Sequence, residues 1–306
     1  MTEFDTDAAT GESIDESNAD DPRERRFTKR ERRSTERESS FDRWARRVWS
    51  AGSYENVAPK YRSMGGRLVE RVGVSAGDEV LDVGCGTGTV AITAARRDAR
   101  VTGVDITPEL VDRARENADS AGVEGISWRE GNATDLPFAD DAFDVTLSNL
   151  GHVYGDPPDA AARELLRVTR PGGRIGFTSW TPTSPYPAMA GVVVPALSPE
   201  ELPDFSEPPF LWGDRGTVRE RLGAAVRELE FEAYTVDYPA LSAEHFFDQT
   251  AAHSGIFIDV LEGLDEDDFP RIREGVIETI EPHFDERENA VELEYLLTRA
   301  RVPNSE

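Results

Sequence analysis

A chain of 306 residues is long enough to bury the core of one large α/β domain, and a formal net charge of −26, from 60 acids against 34 bases, argues against polyanionic partners such as nucleic acid or an anionic membrane. Lys29 and Lys60 are the only lysines, so neither a Schiff-base lysine nor a G-K-S/T phosphate loop can lie beyond residue 60, which removes pyridoxal enzymes and P-loop NTPases. Cys85 is the only cysteine; with four scattered histidines, His152, His245, His253 and His283, it leaves no internal disulfide, no cysteine-based zinc cluster and no expected metal site.

Residues 1–40 lack periodic apolar positions and are crowded with Asp, Glu, Ser, Thr and Arg, which predicts a disordered charged tail. Neither a signal peptide nor a membrane span is visible, since the longest apolar run, about 188–197, is short and contains Pro195; a cytoplasmic protein is expected. Phe41, Trp44, Val48 and Trp49 then fall at near-helical spacing, and N-terminal helices are predicted over 41–78.

Strands and helices alternate from there. Strands are predicted at 79–83, 101–105, 126–130, 143–148 and 174–180, with helices at 89–97, 108–120 and 159–168 and a turn at the RPGG sequence. The helix at 108–120 carries its own punctuation: Thr107 as N-cap, Pro108 in the first turn and Gly122 past the end. Such alternation predicts a doubly wound, Rossmann-like, mostly parallel sheet with helices on both faces. Between Pro182 and Pro209 stand eight prolines, read as an ordered and mostly non-helical cover. A helix at 217–229, a strand at 231–238, helices across 243–261 and 269–280 and a strand at 291–301 complete the chain.

Gly84, Gly86 and Gly88 lie within five residues, immediately after the first predicted strand. Glycine there lets the backbone turn sharply and brings a ligand against the N–H groups of a helix N-terminus. The sequence GTGTVA from Gly86 fits G-x-G-x-x-G/A, and Asp105 follows Gly86 by 19 residues at the end of the next strand, where an acid grips ribose hydroxyls. These two features alone do not separate a nicotinamide dinucleotide from S-adenosylmethionine.

Four ordered segments, VLDVGCGTG, VTGVD, GNATDLPFADDAFDVTLSN and RELLRVTRPGGRI, resemble the class I S-adenosylmethionine-dependent methyltransferases, in particular the small-molecule branch similar to UbiE and the methyltransferase type 11 group. The resemblance spans roughly 80–180, with weaker likeness at VWSAGSY and PPFLWG. It implies S-adenosylmethionine as cofactor and a small or medium-sized organic molecule as methyl acceptor. By that likeness the loop of Gly84, Cys85, Gly86 and Gly88 would hold the methionine part, with Asp82 near its amino group. Asp105 would accept the ribose hydroxyls and Ile106 would flank the adenine. Asn132 and Ala133 would meet the adenine edge, although the family more often has Asp where Asn132 stands. Ser148 and Asn149 would face the sulfonium and the acceptor.

His152, in the loop expected after the fourth strand, is the candidate catalytic base, with a packing role as the alternative. On this basis residues 41–306 form one domain: N-terminal helices at 41–78, a cofactor-binding core at 79–180, and an acceptor-side cover with the end of the sheet at 181–306. The alternatives are an NAD(P)-dependent oxidoreductase and a non-catalytic cofactor-binding protein. Against the first, no Tyr-x-x-x-Lys dyad can exist beyond Lys60. The arginine-for-lysine bias and excess of acids also resemble cytosolic proteins of extreme halophiles. The thermal midpoint is therefore expected to rise between about 0.1 and 2 M KCl, because the reach of carboxylate repulsion shrinks from about 10 Å at 0.1 M salt to about 3 Å at 1 M. Scanning calorimetry measures this, and a level or falling midpoint contradicts the halophile likeness.

Overall fold

The computed structural model describes residues 40–198 and 205–304; apart from residue 40, the predicted tail lies outside them. Helix α1 (Ser40–Ala51), the single turn α2 (Tyr54–Val57) and a 3-10 turn at Ala58–Tyr61 lead into α3 (Arg62–Val72). Gly73 ends α3 in the left-handed conformation at φ 75°, its N–H meeting carbonyls of the last turn. The alternating region follows as β1 (Glu79–Val83), α4 (Thr89–Ala95), β2 (Arg100–Asp105), α5 (Pro108–Ser120), β3 (Ser127–Glu130), β4 (Phe143–Asn149), α6 (Pro158–Val168) and β5 (Thr169–Trp180). The remainder is α7 (Pro185–Val193), α8 (Arg215–Leu222), β6 (Arg227–Pro239), α9 (Ala243–His253), α10 (Gly255–Glu262), α11 (Phe269–Ile280), β7 (Phe284–Asp285) and β8 (Ala290–Arg301).

The strands form one sheet in the order β3-β2-β1-β4-β5-β8-β6, with β7 paired to β8. The first five run parallel, and β8 enters antiparallel between β5 and β6. This is the expected α/β architecture. Alternate residues of β1 serve opposite faces: Val80 joins a core cluster with α3 and α4, while Leu81 and Val83 join one with α6 and α8. The strand order reverses between β1 and β4, which opens a crevice at their carboxyl ends.

Four local readings are corrected or sharpened by tertiary context. The Pro-rich stretch contains a real helix, α7, because Pro185 and Pro187 sit in its first turn, where N–H groups have no intrahelical partner. Residues 199–204 of that stretch lie outside the described residues. The helix predicted at 217–229 ends at Leu222; the chain re-enters the sheet at Arg227, where Glu228 and Glu230 pair across to Arg301 and Arg299 of β8. The helices predicted across 243–261 divide at Ser254, whose backbone is extended at ψ 117°, and the next residue, Gly255, lies so near α1 that a Cβ on it would stand 1.8 Å from the Val48 carbonyl oxygen. The RPGG turn is absorbed into β5 as a left-handed kink at Gly172, with φ 76°.

His152 follows β4 in a 3-10 turn, fully buried, its ring centroid 4.5 Å from that of Phe177 and 4.6 Å from that of Trp212. Neither ring nitrogen has a hydrogen-bond partner among the described residues. The expected base is thus a packing residue in the cluster behind the sheet. Burial, helped by the nearby Arg221 charge, pushes the imidazole down to about 3 from its ordinary 6.5. A depressed histidine contributes stability that is present above the unfolded value and lost as pH falls from about 6.5 towards 3. His152→Leu removes that loss. Against wild type its stability is expected to gain about 1.4 kcal/mol per pH unit between pH 6 and 4 in urea melts, with turnover at pH 7.5 within about two-fold of wild type. A turnover loss of about a hundred-fold would restore the catalytic base.

Candidate functional site

The three loop glycines adopt backbone angles that side chains resist, with φ of 65° at Gly84, 50° at Gly86 and 87° at Gly88. Space is as restrictive as conformation. A Cβ on Gly84 would lie 2.5 Å from the Cα of Gly151, so the loops after β1 and β4 touch backbone to backbone. One on Gly88 would lie 2.9 Å from the Trp128 ring and 3.1 Å from Ala114, which sets Gly88 to helix packing rather than to the cavity. Above Gly86 lies the ring of Tyr54, 3.2 Å from where a Cβ would stand.

Gly88 is the N-cap of α4 and has no side chain with which to cap it. Asp82 does that from β1, its Oδ2 accepting the Ala91 N–H of the first turn at 3.0 Å. Its Oδ1 is buried without a hydrogen-bond partner among the described residues, and burial lifts the carboxyl to about 7. Asp105 closes β2 and accepts the Gly86 N–H at 2.8 Å on Oδ2 and the Thr107 N–H at 2.9 Å on Oδ1. Burial raises its affinity for a proton, and these backbone bonds oppose the rise. Both carboxylates act on Tyr54: its hydroxyl is pushed up to about 12, first by burial and then by Asp105 and Asp82.

A cavity of about 600 Å³ opens at the carboxyl ends of β1, β2 and β4. Gly84, Gly86, Asp105, Ile106, Asn132, Ala133 and Asn149 line it. Asp82 and Cys85 line a recess of about 30 Å³ beside it, shared with Gly84, Gly86 and Asn149. The Cys85 thiol is pushed up by burial, which makes it a small buried residue rather than a reactive one. Ser148 does not line either space. Its Oγ donates to the Val83 carbonyl at 2.7 Å and accepts the His152 N–H at 2.9 Å, so it ties the β4 end to β1 instead of facing a ligand. Asn149 lines both, with its Oδ1 held by the Thr178 hydroxyl at 2.7 Å.

The segment carrying Asn132 and Ala133 is clamped from behind by the RELLRV helix. Glu164 Oε2 accepts the Leu136 N–H at 2.7 Å, and Arg167 donates to the carbonyls of Leu136 and Phe138 at 3.1 and 2.7 Å while pairing with Glu164. These two residues, spaced three apart on one face of α6, give that motif its physical purpose.

Sequence reasoning placed the cover in 181–306 and missed the share that α1 has in it. Helix α1 contributes Phe41, Asp42, Ala45 and Trp49 to the wall, and Asp42 Oδ1 accepts a hydrogen bond from Asn132 Nδ2 at 2.7 Å. α1 is in turn held to α10, where Asp259 accepts the Trp44 indole N–H at 2.9 Å and pairs with Arg47 at 2.7 Å. The wall continues through Tyr61, Trp180, Tyr186, Met189, Tyr238 and Phe257, and Tyr61 also lines the recess beside the glycine loop. The helical spacing of the 41–49 aromatics was the available signal for α1, but its partner lies more than 200 residues away.

Residues 80–173 match the sequence model of a family described as a methyltransferase domain. An uncharacterised protein of Mycobacterium tuberculosis is 38% identical over 186 residues, which is 60% of this chain and 67% of that protein. The methyltransferase GfsG of Streptomyces halstedii is 38% identical over 127 residues, covering 41% of this chain and 46% of its own. Among solved structures, the phosphoethanolamine N-methyltransferase 2 of Haemonchus contortus, in complex with phosphomonomethylethanolamine and S-adenosylhomocysteine, shares the fold with a TM-score of 0.55 at 14% identity, over 87% of this chain and 61% of that one. The matched residues run from β1 through α6 and carry the glycine loop, both buried carboxylates and the clamped segment; the chain belongs to the class I S-adenosylmethionine-dependent methyltransferases.

Proposed function

We propose that the chain transfers the methyl group of S-adenosylmethionine to a small or medium-sized organic acceptor, with cofactor and acceptor side by side in the cavity above β1 and β4. The observation that supports this division is that one cavity joins the glycine loop and Asp105 to a wall built by α7, α9 and α10. The chain's own groups fit the cofactor's polar ends. The unpartnered Oδ1 of Asp82 suits an ammonium, and the left-handed glycines leave the loop's backbone open to close approach. Asp105 suits vicinal hydroxyls, since each of its oxygens has lone-pair capacity beyond the one backbone bond it accepts.

When bound, the cofactor supplies an activated methyl group, so the protein's task is alignment and exclusion of water. Tyr54 and Trp49 close over the loop, their rings 5.9 Å apart, and Tyr154 packs on Trp49 at 4.9 Å. The histidine expected as base stands outside the cavity, so the reading requires an acceptor that reacts without it. We read the protein as cytoplasmic and adapted to high salt, on its charge composition; among the described residues no helix is long and apolar enough to cross a membrane.

Calorimetry with S-adenosylhomocysteine tests the cofactor half, with NAD and NADP as controls. A mass-spectrometric search of cell extract for a product one methylene heavier tests the acceptor half. Asp105→Ala is expected to cost about 2–4 kcal/mol of S-adenosylhomocysteine binding, roughly 30- to 1000-fold, because charge-assisted bonds to two hydroxyls share one carboxylate. Normal binding by that variant would remove Asp105 from the site. Asp82 supplies a pH signature. With its carboxyl near 7 in the free protein, pairing with an ammonium favours the charged form, so binding at pH 6 releases a proton and affinity rises from pH 6 to 8. Calorimetry in two buffers of different ionisation enthalpy reads that proton, and Asp82→Asn should abolish its release; no release in wild type would place the ammonium elsewhere.

A further inference from the structure

The acceptor half of the cavity has a distinctive charge pattern. The charged residues among the described lining residues are Asp42 and Asp105, and both stand at the cofactor end, beside Asn132 and Gly86. The remaining lining is largely apolar and aromatic, and it reaches the glycine loop at Tyr61, which also lines the recess with Gly84 and Gly86. Trp180 packs edge-on to Tyr61 at 5.3 Å and lies 5.1 Å from Tyr186, whose ring lies 6.4 Å from Phe257. Lys60 is the nearest cation to this wall. It sits behind Tyr238, with Nζ 4.0 Å from the ring centroid and donating to the hydroxyl at 2.6 Å, and does not itself line the cavity.

Among the polar side chains of this wall, which include Tyr238, Thr250 and Ser254, the hydroxyls of Tyr61 and Tyr186 form a pair 2.6 Å apart, while those of Tyr238 and Thr250 are engaged by Lys60 and the Phe246 carbonyl. Two phenols carry two hydroxyl protons, and the bond between them uses one. The pair therefore keeps one proton to donate and lone pairs to accept. Burial pushes both hydroxyls well up, so they stay protonated and act as hydrogen-bonding groups rather than as a phenolate base.

An ion placed here would lose its water against aromatic lining residues that carry no counter-charge, the Lys60 ammonium being already engaged by Tyr238 and Gln249, at a cost on the order of several kcal/mol. A cation would also stand beside the positive sulfonium of the donor. Flat apolar rings, by contrast, gain from offset and edge-on contact with the aromatic wall. We propose that this chamber takes an uncharged, flat, ring-containing acceptor bearing a single hydroxyl or carbonyl, held between the aromatic side chains and hydrogen-bonded to the Tyr61–Tyr186 pair. This rests on the methyl-transfer reading above and narrows its acceptor class.

The test uses the whole chain in high salt, saturated with S-adenosylhomocysteine, and follows quenching of tryptophan fluorescence, since Trp49 and Trp180 line the cavity. Binding of S-adenosylhomocysteine is measured first by calorimetry; its failure would sink the cofactor reading and is thereby separate from failure of the acceptor class. The probes share one ring system: naphthol, naphthalene, naphthalene sulfonate and naphthylmethylammonium. Naphthol is expected to bind at least about ten-fold more tightly than either charged probe, by the desolvation argument. Tyr186→Phe and Tyr61→Phe should each weaken naphthol about three- to ten-fold and leave naphthalene unchanged, because the remaining phenol keeps its proton but loses the partner that fixes its direction. Equal or tighter binding of the sulfonate or the ammonium overturns the uncharged class, the ammonium outcome pointing to a cation held on aromatic faces. Equal loss of naphthol and naphthalene in both variants overturns the hydrogen-bonding role of the pair.

Discussion

Two carboxylates buried at the carboxyl ends of adjacent parallel strands are the constraint around which the site is built. Asp82 and Asp105 are 1% and 7% exposed, and backbone N–H groups, rather than cationic side chains, are the partners they hold. Such burial is costly unless donors are aimed at the oxygens. The donors come from the glycine loop and the first turns of the helices that follow β1 and β2. Gly86 can point its N–H at Asp105 only from a left-handed backbone, and Ala91 can point its N–H at Asp82 because α4 begins directly after Gly88. The glycines are thus as necessary to the carboxylates as to any ligand.

The same low-dielectric interior acts in opposite directions on the groups around the crevice. It lifts Asp82 and the phenols of Tyr54, Tyr61 and Tyr186, and depresses His152. All of these shifts favour the neutral form. A pocket floor whose carboxyl is lifted to about 7 is poised to become charged when a cation arrives, whereas the aromatic residues of the wall carry neither carboxylate nor ammonium. Charge is therefore concentrated at the end where the cofactor's ammonium and ribose would lie, and the acceptor end is left to shape and aromatic contact.

The cover over the cavity is assembled from distant pieces of chain. α1 crosses α10 so closely that Gly52 and Gly255 stand where side chains would collide with backbone, and Asp259 fastens the two helices. α7 adds the Pro-rich wall, and Tyr61, at the end of the 3-10 turn before α3, meets Tyr186 of α7 hydroxyl to hydroxyl. Pieces joined mainly by aromatic contacts and a few hydrogen bonds can differ among related chains while the strands beneath them stay the same, which is how one sheet can serve different acceptors.

The sequence by itself determined the sheet, the glycine loop and the two acids beside it, because these depend on local causes: apolar runs at strand length, glycines at a strand-to-helix turn, and acids at strand ends. Seven of the residues singled out line the main cavity and two more its recess. Ser148 and His152 stand outside the cavity because nearness in sequence to a strand end does not say which way a side chain turns, which the Val83 carbonyl and Phe177 decided; Gly88 is set against Trp128 and Ala114 instead. Only the tertiary structure could bring Asp42 to Asn132, bring Gly255 against α1, or set the Tyr61 and Tyr186 hydroxyls together across 125 residues of chain. Those contacts leave no periodic trace in the sequence, since each depends on where another segment happens to lie.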